Sequence, residues 1–251
     1  MDVVGFFNTE IPAFLLALQF LTRLHVKADY SAEAMRASPR WYPGVGIVVG
    51  LVCAVVYGAG YWLWSPLIGV LLAVSAGMIM TGALHEDGFA DACDGLGGVR
   101  PKERVLEIMR DSRIGTYGVL GLLMMVGSKV AALYALPGDA VAFVLIAGHA
   151  GSRASMLWVM ASSDYVRDQG AGNGVAGGID RHALAVAMVT TGVALLPLVF
   201  VVPLAAIITW AAGLVAGHIV MRRWYEPRLG GYTGDCLGAI QQCSEIGRAH
   251  V

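Results

Sequence analysis

Apolar residues run along this chain in long blocks, broken by short polar segments where the charges collect. A bilayer core of about 30 Å needs roughly 20 apolar residues per helix. On that measure the pattern predicts a short span near 11–26, clear spans at 42–64 and 66–84, and two more at 117–136 and 140–161. The apolar stretch from Ala183 to Met221 is too long for one helix. Pro197 and Pro203 predict a break inside it, because proline cannot donate into the helix ladder and clashes with the preceding turn. That makes about seven spans. Segment 232–246 (YTGDCLGAIQQCSEI) begins like a helix but leads into no further apolar run, so it is expected as the start of a truncated eighth span. The predicted fold is all-α, a polytopic membrane helical bundle, with residues 1–251 as a single integral-membrane domain.

The basic residues divide the connections into two sets. Loop 27–41 holds Lys27, Arg36 and Arg40, and loop 85–116 holds Arg100, Lys102, Arg104, Arg110 and Arg113. Loop 162–182 holds Arg167 and Arg181, and segment 222–246 opens on Arg222, Arg223 and Arg228. The connections at 65, at 137–139 and at the Pro197–Pro203 break hold none. Short loops rich in Lys and Arg stay on the cytoplasmic side. The N-terminus is therefore expected outside, with all four polar segments in the cytoplasm as active-site loops.

Composition agrees with the pattern. Hydrophobic residues make up 57% of the chain and charged residues only 14%, against about a quarter charged in a soluble domain. The formal net charge of -1 removes any case for a nucleic acid as partner. The four cysteines, Cys53, Cys93, Cys236 and Cys243, form no Cys-x-x-Cys pair, and Cys53 in an apolar run reads as inert core. The start, MDVVGFFNTE, has neither a basic n-region nor an A-x-A site, so no cleaved leader is expected.

The most informative polar stretch is His85-Glu86-Asp87-Gly88-Phe89-Ala90-Asp91-Ala92-Cys93-Asp94-Gly95, directly after the third span. On a helix Asp87, Asp91 and Asp94 fall within roughly 60° of one another. Glu86 points off that face and remains a further candidate ligand. Like charges stacked on one helix face repel, and oxygen-only ligands favour Mg²⁺ over zinc or copper. Mg²⁺ usually binds one or two carboxylates together with substrate phosphates, so the motif reads as a site for a diphosphate-bearing substrate. The plainer alternative is a solvated acidic face at a helix end.

Downstream, 103–115 reads as an amphipathic helix ending at Gly115, with Arg110 and Arg113 on its polar side. Their planar forks match phosphate oxygens, although anchoring to lipid headgroups explains them equally well. Lys129 and Arg153 lie within predicted spans. A charge there costs about 2.5–3.5 kcal/mol on insertion scales and so faces an interior or a polar cavity, which makes both candidates for binding substrate. His149 and His218 read as satisfied interior histidines. Loop 162–182 contributes Asn173 and Asp180 as weaker substrate-binding candidates, among glycines that permit close backbone approach. Gly230, Gly234 and Gly238 recur every fourth residue and predict tight helix packing, with Asp235 either a helix-start carboxylate or a further metal or hydroxyl partner.

Together FLTRL (20–24), WYPGVGIVVG (41–50), GALHEDGFADACDGLGG (82–98), EIMRDSRIG (107–115), the surroundings of Lys129 and Arg153, and GGYTGDCLGA (230–239) resemble the cobalamin synthase family. His25 stands where that family commonly has proline, and the family's final hydrophobic helix is not matched. The resemblance implies a Mg²⁺-dependent transferase of the bacterial cytoplasmic membrane. In that reaction a ribose hydroxyl of α-ribazole, or of its 5′-phosphate, attacks the phosphorus linked to adenosylcobinamide in its GDP derivative, and GMP leaves. It implies corrinoid-GDP and α-ribazole as partners within the lipid bilayer, with a second copy or other corrinoid-assembly enzymes as further candidates. On this reading Asp87, Asp91 and Asp94 hold the metal. Arg110, Arg113 and Arg153 stabilise phosphate charge, and Asp235 or a metal-ligand carboxylate receives the hydroxyl proton.

Two other classes compete. A CDP-alcohol phosphotransferase shares a D-G-x-x-A signature, but arginine follows that alanine, whereas Asp91 follows Ala90 here. A cation-coupled transporter would place its charges near the midplane and show repeated halves; the acidic motif here lies at a span end.

Overall fold

A computed structural model of the chain describes residues 3–167 and 179–246, and the side chains of 9–167 and 179–245. Its described elements are helices. In chain order they are α1 (Val3–Leu21), α2 (Ala32–Ala37), α3 (Tyr42–Leu63), α4 (Pro66–Thr81), α5 (Leu84–Leu96), α6 (Lys102–Ile108), α7 (Thr116–Tyr134), α8 (Gly138–Ser162), α9 (Arg181–Leu195), α10 (Leu204–Leu229) and α11 (Gly234–Ile246). Short 3₁₀ turns lie at Ser38–Trp41 and Leu196–Phe200.

Five helical stretches are long and apolar enough to cross a membrane: Ala32–Leu63, Thr116–Tyr134, Gly138–Ser162, Arg181–Phe200 and Leu204–Leu229. The α4–α5 pair passes the same test only as a broken span, bent by 88°. The span predicted near 11–26 is the shorter apolar helix Thr9–Leu21. The fold is thus a polytopic all-α bundle, with five long apolar helices among the described residues, or six with the bent pair, and the shorter Thr9–Leu21 beside them. The predicted break in the 183–221 stretch is present, with Pro203 leading directly into α10.

Glycines set the tightest crossings. A Cβ on Gly46 would come within 2.3 Å of the His149 carbonyl oxygen, and one on Gly50 within 2.5 Å of Ile146 Cα, so α3 and α8 touch backbone to backbone. Gly60 and Gly69 do the same for α3 and α4. Small residues let membrane helices approach closely enough for dispersion contacts between backbones.

The two ends of the bundle differ. At one, Tyr57 Oη donates to the Gly138 carbonyl at 3.3 Å, tying the start of α8 to α3, and Trp62, Trp64 and Tyr134 stand exposed. Aromatic rings suit the boundary between bilayer and water. At the other end, the Arg23 N–H donates to Met80 O at 2.8 Å and Arg222 donates to Ser162 O at 3.0 Å, joining α1 to α4 and α10 to α8. The long polar segments gather here.

At that polar end α4 turns sharply into α5. Gly82 (φ 65°) and Ala83 (φ 56°) both adopt the left-handed conformation, with Gly82 and Ala83 N–H groups donating back to Ile79 and Met78. Glycine accepts that geometry freely, while alanine pays about 1 kcal/mol for it. As a result α5 runs across the end of the bundle instead of continuing α4.

Residues 222–246, counted among the polar cytoplasmic segments with 232–246 expected as the start of a truncated span, are helical almost throughout. Helix α10 continues to Leu229, and α11 packs into the bundle against α5, α7, α8 and α10. Cys236, Leu237, Ala239, Ile240, Gln241 and Gln242 are all buried. The reason is local burial of an apolar face, which a short helix achieves by packing on protein rather than by spanning lipid. The expected three-glycine stripe is not one surface. Gly230 (φ 70°) terminates α10, Gly234 starts α11 with nothing near its Cβ position, and only Gly238 lies at a helix contact.

Candidate active site

Helices α5 and α11 cross where neither has a side chain to separate them. A Cβ on Gly88 would lie 3.0 Å from Asp235 Cα, and one on Gly238 would lie 3.0 Å from the His85 carbonyl oxygen. This contact brings the acidic face of α5 beside Asp235, at the first turn of α11. Asp87 is exposed and Asp91 half-buried. Burial, and then the like charges of Asp235 and Asp87, push the Asp91 carboxyl up to about 7. Asp235 is also raised, first by burial, with Arg167 opposing the shift.

Arg167 was counted among the loop charges, yet nothing in its spacing singled it out as a site residue. Its position comes from a short pairing of two loops. Val166 N–H donates to Tyr232 O at 3.0 Å and Tyr232 N–H to Asp164 O at 2.9 Å. The guanidinium that follows donates to Asp235 Oδ2 at 2.6 Å. Tyr165 packs edge-on against Tyr232. Its phenol is raised by burial, against the lowering influence of Arg167 and Arg110, which places Arg110 in the electrostatic neighbourhood of the site.

A cavity of about 170 Å³ lies here, with Tyr42, Asp87, Tyr165, Arg167 and Asp235 in its wall. Anion-binding and acidic groups thus share one recess, an arrangement able to hold a divalent cation beside phosphate oxygens. Among the described residues no three His, Cys, Asp or Glu side chains are already close enough to hold a metal alone. The donor set nevertheless fits Mg²⁺, which commonly takes one or two carboxylates and completes its shell with substrate phosphates and water. The raised Asp91 carboxyl is the crowded donor that such a cation would relieve.

The third aspartate of the motif has other partners. Asp94 Oδ2 accepts from Gly115 N–H at 2.7 Å and Oδ1 from Gly118 N–H at 2.8 Å, capping the start of α7. The unpaired amides of a helix N-terminus attract a carboxylate strongly. A Cβ on Gly115 or Gly118 would come within 2.5 or 2.4 Å of that carboxylate, so both glycines make room for it. The same C-terminal end of α5 is pinned further, Arg100 donating to Asp94 O at 2.9 Å and Arg228 to Leu96 O.

Glu86 turns inward, away from Asp87, as its angle on the helix implied. Its Oε1 accepts from Gln242 Nε2 at 2.9 Å, at the edge of a buried polar network. Lys129 Nζ donates to Gln242 Oε1 and, at 2.6 Å, to Glu245 Oε2. His149 Nδ1 lies 2.7 Å from Glu245 Oε1, and Arg153, fully buried, donates to His149 O at 3.0 Å. Among them is a cavity of about 30 Å³, room for about one water molecule. Lys129 and Arg153 were expected on substrate; the structure ties Lys129 to α11 and Arg153 to its own helix. Gln241, Gln242 and Glu245 went unnoticed as partners because the sequence does not show that α11 packs inside the bundle beside Lys129.

The remaining candidates separate. Arg113 is exposed and donates to both oxygens of Asp111, at 2.6 Å to Oδ2. Asp180 caps α9, accepting from Ala183 N–H at 2.7 Å. Asn173 lies outside the described residues.

Comparison with known proteins then decides the family. The description of cobalamin-5-phosphate synthase matches residues 13–251. The chain belongs to the cobalamin-5-phosphate synthase family. Among its relatives, a protein of Leptothrix cholodnii named adenosylcobinamide-GDP ribazoletransferase is 40% identical over 253 residues, covering 94% of this chain and 93% of its own. Proteins of the same name from Shewanella amazonensis and Brevibacillus brevis are 37% and 35% identical, covering 96% and 93% of this chain and 94% of their own length in both cases. No solved structure matches this chain. Members of the cobalamin-5-phosphate synthase family are enzymes, and the recess between α5 and α11 is the candidate active site of this one.

Proposed function

We propose that this enzyme is a Mg²⁺-dependent adenosylcobinamide-GDP ribazoletransferase of the bacterial cytoplasmic membrane, with the α5–α11 recess facing the cytoplasm. The observation that carries the reading is the glycine contact of α5 on α11, which sets Asp87 and Asp91 beside the Asp235–Arg167 pair. The names of relatives matching nearly the whole chain supply the substrates. The gathering of Lys and Arg on the long segments of one end supports the orientation.

The reaction forms one phosphodiester bond and breaks one phosphoanhydride bond. A ribose hydroxyl of α-ribazole, or of its 5′-phosphate, attacks the phosphorus linked to adenosylcobinamide, and GMP departs with the bridging oxygen. Asp87 and Asp91 would hold Mg²⁺, which when bound neutralises charge on the diphosphate and the leaving group. Arg167 in the cavity wall, with Arg110 in its electrostatic neighbourhood, supplies positive charge for the equatorial oxygens in the transition state. Asp235 receives the hydroxyl proton. Its carboxyl is raised by burial, which makes it a better proton acceptor than a solvated carboxylate, and phosphoryl transfer asks more of positioning than of basicity. Tyr165, Tyr42 and Phe20 give the cavity an aromatic wall suited to a planar base.

The test is turnover of adenosylcobinamide-GDP with α-ribazole by purified enzyme, followed as GMP release with Mg²⁺ and with EDTA. Metal-dependent GMP release coupled to product is the expected result. Absence of GMP release, or CMP release from a CDP-linked lipid instead, overturns the reading.

A further inference from the structure

We propose that Arg23 is a phosphate anchor of this active site, on the opposite side of Asp87 from Arg167, and that its guanidinium binds oxygens of the substrate diphosphate. The inference rests on the reading of the recess as a diphosphate-transfer site. A second, open depression of about 520 Å³ has Phe20, Arg23, Gly82, Leu84 and Asp87 in its wall. It shares Phe20, Leu84 and Asp87 with the inner cavity that holds Arg167 and Asp235. Asp87 therefore borders two openings, one also lined by Arg23 and the other by Arg167.

Arg23 is held by its backbone and stem. Its N–H donates to Met80 O at 2.8 Å, fixing the end of α1 on the end of α4. Its Cγ and Cδ lie over Gly82, where a Cβ would approach both to 3.1 Å. Gly82 is also left-handed at φ 65°, so glycine suits the position both for conformation and for the close approach of the arginine stem.

The guanidinium is left exposed. Among the described residues Arg23 makes no ion pair, even with Asp87 in the same depression, whereas Arg167 is paired with Asp235 and Arg113 with Asp111. A cation and a carboxylate that line one opening without neutralising each other suit a ligand bearing phosphate together with a divalent cation. The planar fork then engages phosphate oxygens bidentately. A lipid headgroup phosphate shares that chemistry, but Asp87 repels one that arrives without a metal.

The test compares wild type with Arg23→Met, which keeps the stem over Gly82, and Arg23→Lys, which keeps the charge. Binding of inorganic pyrophosphate with Mg²⁺ is measured by calorimetry on lipid-stripped protein in neutral detergent, alongside KM for each substrate. Arg23→Met is expected to weaken pyrophosphate binding, and to raise KM for the diphosphate substrate, by about tenfold to a hundredfold. KM for α-ribazole stays unchanged, and Arg23→Lys falls between. Unchanged pyrophosphate affinity overturns the proposal. So does a defect seen only in phosphatidylglycerol vesicles and not in lipid-free detergent, which assigns Arg23 to headgroups. Should Arg23→Met fail to fold, wild-type affinity in Arg23→Lys together with an unaltered KM overturns it equally. Arg23-dependent pyrophosphate binding in an enzyme that releases no GMP sinks the proposed function while leaving this assignment standing.

Discussion

Lys129→Met isolates a charge that the bundle cannot hydrate. Glu245 is 2% exposed, its Oε2 2.6 Å from the Lys129 ammonium, so removing the lysine leaves a buried carboxylate whose remaining close cationic neighbour is His149, at 2.7 Å. Breaking a buried pair by deleting one partner costs about 3–5 kcal/mol. Loss of the ammonium from Gln242 Oε1 adds about 1 kcal/mol. The His149 ring and the Gln241 amide still face the carboxylate and offset part of this, so the expected loss for Lys129→Met is about 3 kcal/mol. The double variant Lys129→Met/Glu245→Gln removes both charges and keeps an amide toward Gln241 and His149. It is expected within about 1 kcal/mol of wild type, because desolvation of the native pair nearly cancels its attraction. The assay is SDS-driven unfolding in mixed micelles, read by tryptophan fluorescence for wild type, both singles and the double. A coupling energy of about 2 kcal/mol or more supports the argument. If Lys129→Met unfolds like wild type while KM for substrate rises, the lysine serves the ligand and the argument is refuted.

Three further outcomes follow from the same geometry. Asp94→Ala strips the cap from α7 and is expected to cost about 2 kcal/mol of stability in the same unfolding assay, whereas Asp91→Asn leaves stability intact and abolishes Mg²⁺-dependent GMP release; the reverse pattern would reassign the two aspartates. Gly238→Val forces α11 off α5 by more than the 3.0 Å contact allows and is expected to lower kcat at least tenfold, a prediction lost if turnover survives with the protein folded. Arg113→Ala removes an exposed side chain already paired with Asp111, so kcat and KM are expected to stay near wild type; a large rise in KM would place that arginine on substrate.

Much of the molecule was legible in order along the chain. Apolar runs marked the long helices, Pro197 and Pro203 marked a break, and the acidic stretch holding Asp87 and Asp91 forms the helix that the spacing implied. Errors arose where a local signal had two physical outlets. Asp94 shares the acidic face on a helical wheel, but the free amides at Gly115 and Gly118 are stronger partners than a distant face-mate. Lys129 and Arg153 were rightly placed in an interior, yet an interior charge can meet either a ligand or a counter-charge, and Glu245 meets Lys129 only through the packing of α11 inside the bundle. Arg167 carried no signal, because its role depends on the pairing of 164–166 with Tyr232.

Read alone, the chain determined the class of protein, the approximate placement of its helices and the acid-rich segment on which the proposed site is built, since each follows from residues adjacent in sequence: hydrophobic free energy accumulates along a segment, and helical periodicity aligns its neighbours. Tertiary structure decided which charges meet. Asp235 reaches Asp91 only because two glycine faces let α11 lie against α5, and Lys129 finds Glu245 only because α11 packs inside the bundle. Such meetings depend on where backbones can touch, a property of paired surfaces that no single segment possesses.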